Sequence, residues 1–149
     1  MTEAPCWLAW FDGAALPNPG KIGLGAVLVS PDGERLERAE LPGCCGCNNE
    51  AELLALCAVL KLAHGAGARR VVVRGDSDFV VRHLQGCATT QIDRLLPLLA
   101  SSRELLQEFE HVELLWIPRH RNRDADRLSR QALGLPEKPA TLPGRKRRR

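Results

Sequence analysis

Trp7-Leu8-Ala9-Trp10-Phe11-Asp12-Gly13 is the stretch from which the fold is read. Five apolar residues in succession leave no polar face, the pattern of a strand covered on both sides at the centre of a sheet. Residues 7–12 are therefore expected to form a central strand with Asp12 at its end. Working outward, residues 22–30 read as a second strand and Pro31-Asp32-Gly33 as a turn. Residues 34–41 return as a third strand. Its Glu and Arg content suits a sheet edge, where charge discourages further pairing.

Beyond this meander the period changes. From Glu50 to His64 nearly every position is apolar or Ala, which predicts a helix buried almost all round. Asn48 or Asn49 would cap it, and Gly65 or Gly67 would end it. Residues 70–74 form a short β-branched strand of the buried kind. A brief helix follows at 77–84. A helix over 92–109 requires Pro97 to fall in its first turn. Residues 112–117 give a fifth strand and 123–133 a last helix, ended by Gly134. Three hairpin-connected strands followed by strand–helix alternation predict an α/β fold. Its mixed five-stranded sheet, antiparallel strands first and parallel ones after, would be flanked by helices on both faces.

At 149 residues and 44% hydrophobic content the chain suits one well-cored domain. The net charge of +3 hides an asymmetry. Residues 138–149 hold six of the 21 Lys and Arg and no acid, leaving 15 basic against 18 acidic residues elsewhere. Residues 1–135 are expected to be the folded domain, and 136–149 a basic tail without regular structure. Such a tail would attract nucleic acid through its phosphates, or serve as a solvated end. No run approaches the ~20 apolar residues of a membrane span, and the N-terminal residues lack a basic stretch before their apolar one. The expectation is a cytoplasmic monomer with no membrane partner. Cys44-Cys45-Gly46-Cys47 has no second Cys or His pair at zinc-site spacing. The six cysteines are read as reduced thiols filling small apolar space.

Four acids each lie at the edge of an element: Asp12, Glu52, Asp76 and Asp126. A carboxylate after a strand as apolar as Trp7–Phe11 is costly unless a cation or donors compensate. Asp-Gly is also a common turn pair, so Asp12 alone is ambiguous. Asp76 follows Val71-Val72-Val73, at the carboxyl end of a buried strand where open α/β sheets place their ligands. Four carboxylates gathered in one cleft would need neutralising cations, and hard oxygen donors favour Mg²⁺ or Mn²⁺. The arrangement suggests two-metal phosphodiester chemistry.

Several segments carry a family resemblance: Asp12-Gly13 with Asn18-Pro19-Gly20, Asn48-Asn49-Glu50-Ala51-Glu52-Leu53, Gly75-Asp76-Ser77-Asp78, and Trp116-Ile117-Pro118-Arg119-His120 with Asn122-Arg123-Asp124-Ala125-Asp126. In this order and spacing, over about residues 7–133, the chain resembles the type 1 ribonuclease H family. The resemblance implies the ribonuclease H fold and metal-dependent endonucleolytic hydrolysis of the RNA strand of RNA–DNA hybrids. Two Mg²⁺ ions, with Mn²⁺ as an alternative, would be held by Asp12, Glu52, Asp76 and Asp126, and the products would be 5′-phosphate and 3′-hydroxyl ends. It selects Glu52 over Glu50, which points about 200° away on the helix, and Asp126 over Asp124. It implies a catalytic role for His120 in proton transfer or product release, and substrate contacts from Asn18, Asn48, Asn49 and Asn122. Compared with longer bacterial members, residues 85–92 lack an extra helix and carry no positive charge.

Other chemistry on the same fold, exonuclease or integrase, is disfavoured by the Asn48–Glu52 and Trp116–Asp126 segments. A non-catalytic nucleic-acid-binding module would have shed a ligand, and all four are present.

Overall fold

The computed structural model describes residues 4–136. The basic segment anticipated as a tail lies, from residue 137 on, outside the described residues. The elements are β1 (Cys6–Leu16), β2 (Gly20–Val29), β3 (Arg35–Glu40), β4 (Cys45–Gly46), α1 (Asn48–Gly65), β5 (Arg70–Gly75), α2 (Asp78–Leu84), α3 (Leu96–Leu106), β6 (His111–Trp116) and α4 (Arg123–Ala132). The sheet runs β3-β2-β1-β5-β6, with the two-residue β4 pairing β2 off that path. It therefore has six strands rather than the expected five. β4 is too short for any periodicity to reveal it.

β1 is the hinge of the topology. It pairs antiparallel with β2 on one side and parallel with β5 on the other, and β5 pairs parallel with β6. α1, α2 and α3 pack together on one face, while α4 covers β1, β2 and β3 on the other. The α1 face explains part of the apolar run of β1: Ala9 and Phe11 are fully buried against the large core that includes Leu53, Leu56 and Val73, whereas Leu8 and Trp10 on the opposite face are half-buried. β3 is an edge strand, as its charge predicts, and is pinned to α4 by Arg127–Glu37 at 3.1 Å and by Arg35–Asp124.

The boundary of β1 differs from expectation in a way that matters. Asp12 does not end the strand, which continues to Leu16. Asp12 sits mid-strand opposite Gly25 of β2, with the Phe11–Gly75 pair beside it. The strand can continue because β2 pairs with it as far as Leu16, whereas β5 stops at Gly75.

The α1 cap also departs from expectation, since the N-cap is Cys47. Its backbone N–H donates to Glu50 Oε1 at 2.9 Å, closing a capping box. Asn48 is committed elsewhere: its Oδ1 accepts from Ala15 N at 2.9 Å, and its N–H donates to Asn18 Oδ1 at 3.0 Å. The β1–β2 turn thus satisfies one of the unpaired amides at the start of α1. Pro97 falls in the first turn of α3 as required. Of the cysteines Cys57 is buried and Cys47 is partly buried against the core, while Cys6, Cys44, Cys45 and Cys87 are exposed. None of the described helices is long and apolar enough to cross a membrane.

Helix-to-sheet contact is closest at two glycines. A Cβ on Gly13 would lie 2.1 Å from Ala51 O of α1, and one on Gly25 would lie 2.1 Å from Ala125 O of α4. The added carbon would meet backbone in both cases, so the helix itself would have to move. Gly25→Ala is expected to destabilise by about 3 kcal/mol in urea unfolding. Gly65→Ala, with nothing within 4 Å and no positive φ, should be neutral or stabilise by up to about 1 kcal/mol.

Candidate active site

The strand register brings the acids together. β5 runs parallel beside β1 and ends at Gly75, opposite Phe11. Asp76 therefore leaves the sheet next to Asp12. α1 crosses β1 so closely at Gly13 that Glu52 Oε1 accepts from Gly13 N at 3.0 Å. One carboxylate oxygen from each of Asp12, Glu52 and Asp76 lies within 4.8 Å of the others. Asp126, in the first turn of α4, lines the same cleft, as do Asn48, Asn49, Arg119 and Arg130. Three of the four anticipated ligands thus converge and the fourth stands at the cleft wall.

Asp12, Glu52 and Asp76 are held by specific donors. Ser129 Oγ lies 2.9 Å from Asp12 Oδ2. Asn122 Nδ2 donates to Phe11 O at 2.9 Å and to Asp76 Oδ2 at 2.8 Å. Both its partners are acceptors, which fixes the orientation of the amide. Trp116 Nε1 donates to the Asp76 carbonyl at 3.2 Å, and Ser77 caps α2 immediately afterwards.

Asn122 corrects an expectation. It is only 1% exposed, and its two amide hydrogens are spent on β1 and Asp76. It positions Asp76 and has no surface to offer a substrate. His120 is likewise not brought to the acids. It is exposed in a short 3₁₀ turn, Arg119–Arg121, and lines a neighbouring pocket with Trp10, Val27, Arg35 and Asp124. At three residues per turn, Arg119 faces the acidic cleft and His120 the other side. Glu50 serves the capping box and pairs with Arg94 at 3.2 Å, and Asp124 pairs with Arg35 and with Arg127 at 3.6 Å.

Asp12 is 6% exposed, and its pKa is raised to about 7, by burial first and by the nearby Asp76 and Asp126 charges, with the Ser129 hydrogen bond opposing. Glu52 is pushed well above the ordinary carboxylate range by burial and by Asp12 and Asp76. Closely spaced hard oxygen donors that cannot all ionise unaided suit a divalent cation. The residues present fit a metal site.

A carboxyl with a raised folded-state pKa binds its proton more tightly when folded, so its contribution to stability is complete below the unfolded value and is lost as pH rises through the folded one. For Asp12 that window runs from about 3.8 to about 7. In chelator, the melting temperature should fall across this window. Asp12→Asn should flatten the fall and melt higher than the parent at pH values above it.

Comparison with known proteins bears on this geometry. A family model described as "Reverse transcriptase-like" matches residues 10–132. Ribonuclease HI of Halobacterium salinarum is 38% identical over 125 residues, covering 84% of this chain and 63% of that protein. The mycobacterial Rv2228c is covered over 34% of its length, so the chain spans well under the full length of these relatives. Among solved structures, RNase H1 from Halobacterium salinarum superimposes with a TM-score of 0.82 at 38% identity, over 87% of this chain and 98% of that one. The N-terminal RNase H domain of Rv2228c from Mycobacterium tuberculosis gives 0.78 at 31%, over 88% and 95%. LC11-RNase H1, solved in complex with an RNA/DNA hybrid, gives 0.77 at 30%, over 86% and 96%. With a family match spanning most of the chain, and solved ribonucleases H1 aligned over nearly their whole length, the protein belongs to the type 1 ribonuclease H family.

Proposed function

We propose that the protein is an endonuclease that hydrolyses the RNA strand of RNA–DNA hybrids, leaving 5′-phosphate and 3′-hydroxyl ends. The observation that carries the reading is the convergence of Asp12, Glu52 and Asp76 in an open cleft, where burial and mutual repulsion call for cations. The hybrid bound to LC11-RNase H1 supports the substrate class. Two Mg²⁺ ions, or Mn²⁺, held by these three acids and Asp126 would supply an activated water and stabilisation of the leaving 3′ oxygen.

The rest falls to the chain's own residues. Asn122 and the Gly13 amide hold Asp76 and Glu52 in place. Asn48 and Asn49 line the cleft. The side-chain oxygens of Asn48 and Asn18 are turned inward, to Ala15 and to the start of α1. Their amide nitrogens are left as donors toward a minor groove, where 2′-hydroxyls and base-edge acceptors lie. Arg119 and Arg130, which also line it, bring positive charge suited to phosphate. The assignment of His120 to proton transfer needs the Arg119–Arg121 turn to reorient on substrate binding.

Asp76→Asn should abolish Mg²⁺-dependent cleavage while preserving the fold, since it removes a ligand charge without removing volume. Glu52→Gln and Asp126→Asn should each reduce kcat at least about 100-fold, as removal of groups acting directly at the reacting centre does. Glu50→Gln and Asp124→Asn should stay within a few fold of the parent. The reverse order in either pair would reassign the ligands.

Substrate choice is tested with labelled RNA–DNA, RNA–RNA and DNA–DNA duplexes of one sequence. Only the hybrid should be cut, on its RNA strand. Comparable cleavage of all three would indicate a general nuclease, and hybrid binding without cleavage a non-catalytic module.

A further inference from the structure

Ser129 is fully buried on α4, three residues beyond Asp126. Its Oγ lies 2.9 Å from Asp12 Oδ2 on β1 and 3.0 Å from the Asp126 carbonyl within its own helix. A serine hydroxyl has one hydrogen to donate, and when Asp12 is ionised both neighbours are acceptors. The two claims on that hydrogen are unequal. The Asp126 carbonyl lies inside α4, where the amide four residues on is its regular partner. A carboxylate oxygen is charged and makes the stronger bond.

The backbone around Ser129 is built to keep it there. A Cβ on Gly23 would lie 2.6 Å from Ser129 O, and one on Gly25 would lie 2.7 Å from Ser129 N. α4 is thus seated on β2 at two glycines flanking this residue, and Gly25 is the direct strand partner of Asp12. The hydroxyl reaches across from α4 to the one acid carried by the central strand.

We infer that Ser129 is a positioning residue for the metal site. Its hydrogen bond holds Asp12 by Oδ2, leaves Oδ1 as the carboxylate's other acceptor, and ties Asp12 to the helical turn that carries Asp126. One hydroxyl thereby fixes two of the four acids relative to each other. Asn122 does the corresponding work for Asp76, through 2.8 Å and 2.9 Å bonds to Asp76 and to β1. The inference rests on the metal reading of the acidic cluster, so its test measures cation binding apart from cleavage.

The experiment is calorimetric titration of Mn²⁺ into the full chain without nucleic acid, at one fixed pH, for the parent, Ser129→Ala and Ser129→Thr. Ser129→Ala removes only an oxygen and should keep the parent's circular dichroism and a cooperative melt. Its Mn²⁺ affinity should drop about tenfold, the lower end of what losing a residue that orients a ligand costs. Ser129→Thr, which keeps the hydroxyl, should restore affinity to within about twofold. With the hybrid present, Ser129→Ala should raise the Mg²⁺ concentration for half-maximal rate by a similar factor and leave KM for the hybrid unchanged. Equal Mn²⁺ affinity for the parent and Ser129→Ala would overturn the inference while leaving the proposed activity standing. A folded Ser129→Thr as weak as Ser129→Ala would also overturn it, and if Ser129→Thr does not fold, Ser129→Ala alone decides. A parent that binds no Mn²⁺ and still cuts hybrid would overturn the metal reading and this inference with it.

Discussion

Asp12 is held 6% exposed in the middle of the central strand, with the carboxylates of Glu52 and Asp76 close enough for one oxygen of each to fall within 4.8 Å of the others. Left to themselves, three like charges in so dry a place would drive one another apart or take up protons, and the raised pKa of Asp12 is the second response. The fold must therefore oppose the first. It does so by carrying each acid on a different rigid element and bonding it to another: Gly13 N–H to Glu52, Asn122 to Asp76, Ser129 to Asp12. Stability is given up locally for a cluster whose repulsion a cation would relieve.

The same requirement explains why helices press so closely on β1 and β2. Carboxylates are short, and side chains from opposite faces of a sheet can meet only if the helices carrying them ride directly on the backbone. Gly13 admits α1 on one face, and Gly23 and Gly25 admit α4 on the other. Small residues at these points are part of the site, although none of them touches a substrate. A methyl at Gly13 would displace the α1 turn that bears Glu52, and one at Gly25 the α4 turn that bears Asp126.

Much of this was legible in the chain. The apolar run through Phe11 announces a central strand, and the edge position of β3 follows from its charge. The choice of Glu52 over Glu50 follows from helical geometry together with the family resemblance. What stayed hidden depended on partners distant in sequence. β4 is two residues long and exists only through its pairing with Lys21 and Gly20. Asp12 seemed to end a strand because Asp-Gly reads as a turn, whereas the length of β2 carries β1 onward to Leu16. Asn122 and His120 belong to one loop, and spacing alone does not tell which side of a 3₁₀ turn each residue faces. The buried donor role of Ser129 left a faint signal: it lies at i+3 from Asp126, and hence on the same helical face.

Under the proposed activity, the amides and guanidinium groups that line the cleft would divide the labour of recognition in a way that follows from their chemistry. Asn48, Asn49, Arg119 and Arg130 line the cleft together with the acids. Guanidinium groups attract phosphate from any nucleic acid, so they add affinity without telling RNA from DNA. Neutral amides gain little from phosphate but can bond to a 2′-hydroxyl, which only ribose carries. Asn18 and Asn48 are not free to turn: the Asn48 oxygen accepts from Ala15 N of β1, and the Asn18 oxygen from Asn48 N at the start of α1, the helix that bears Glu52. A groove that fits those amides is thereby placed in fixed register with the carboxylates. Under the proposed activity, discrimination of the sugar and placement of the scissile phosphate are two consequences of how one helix begins.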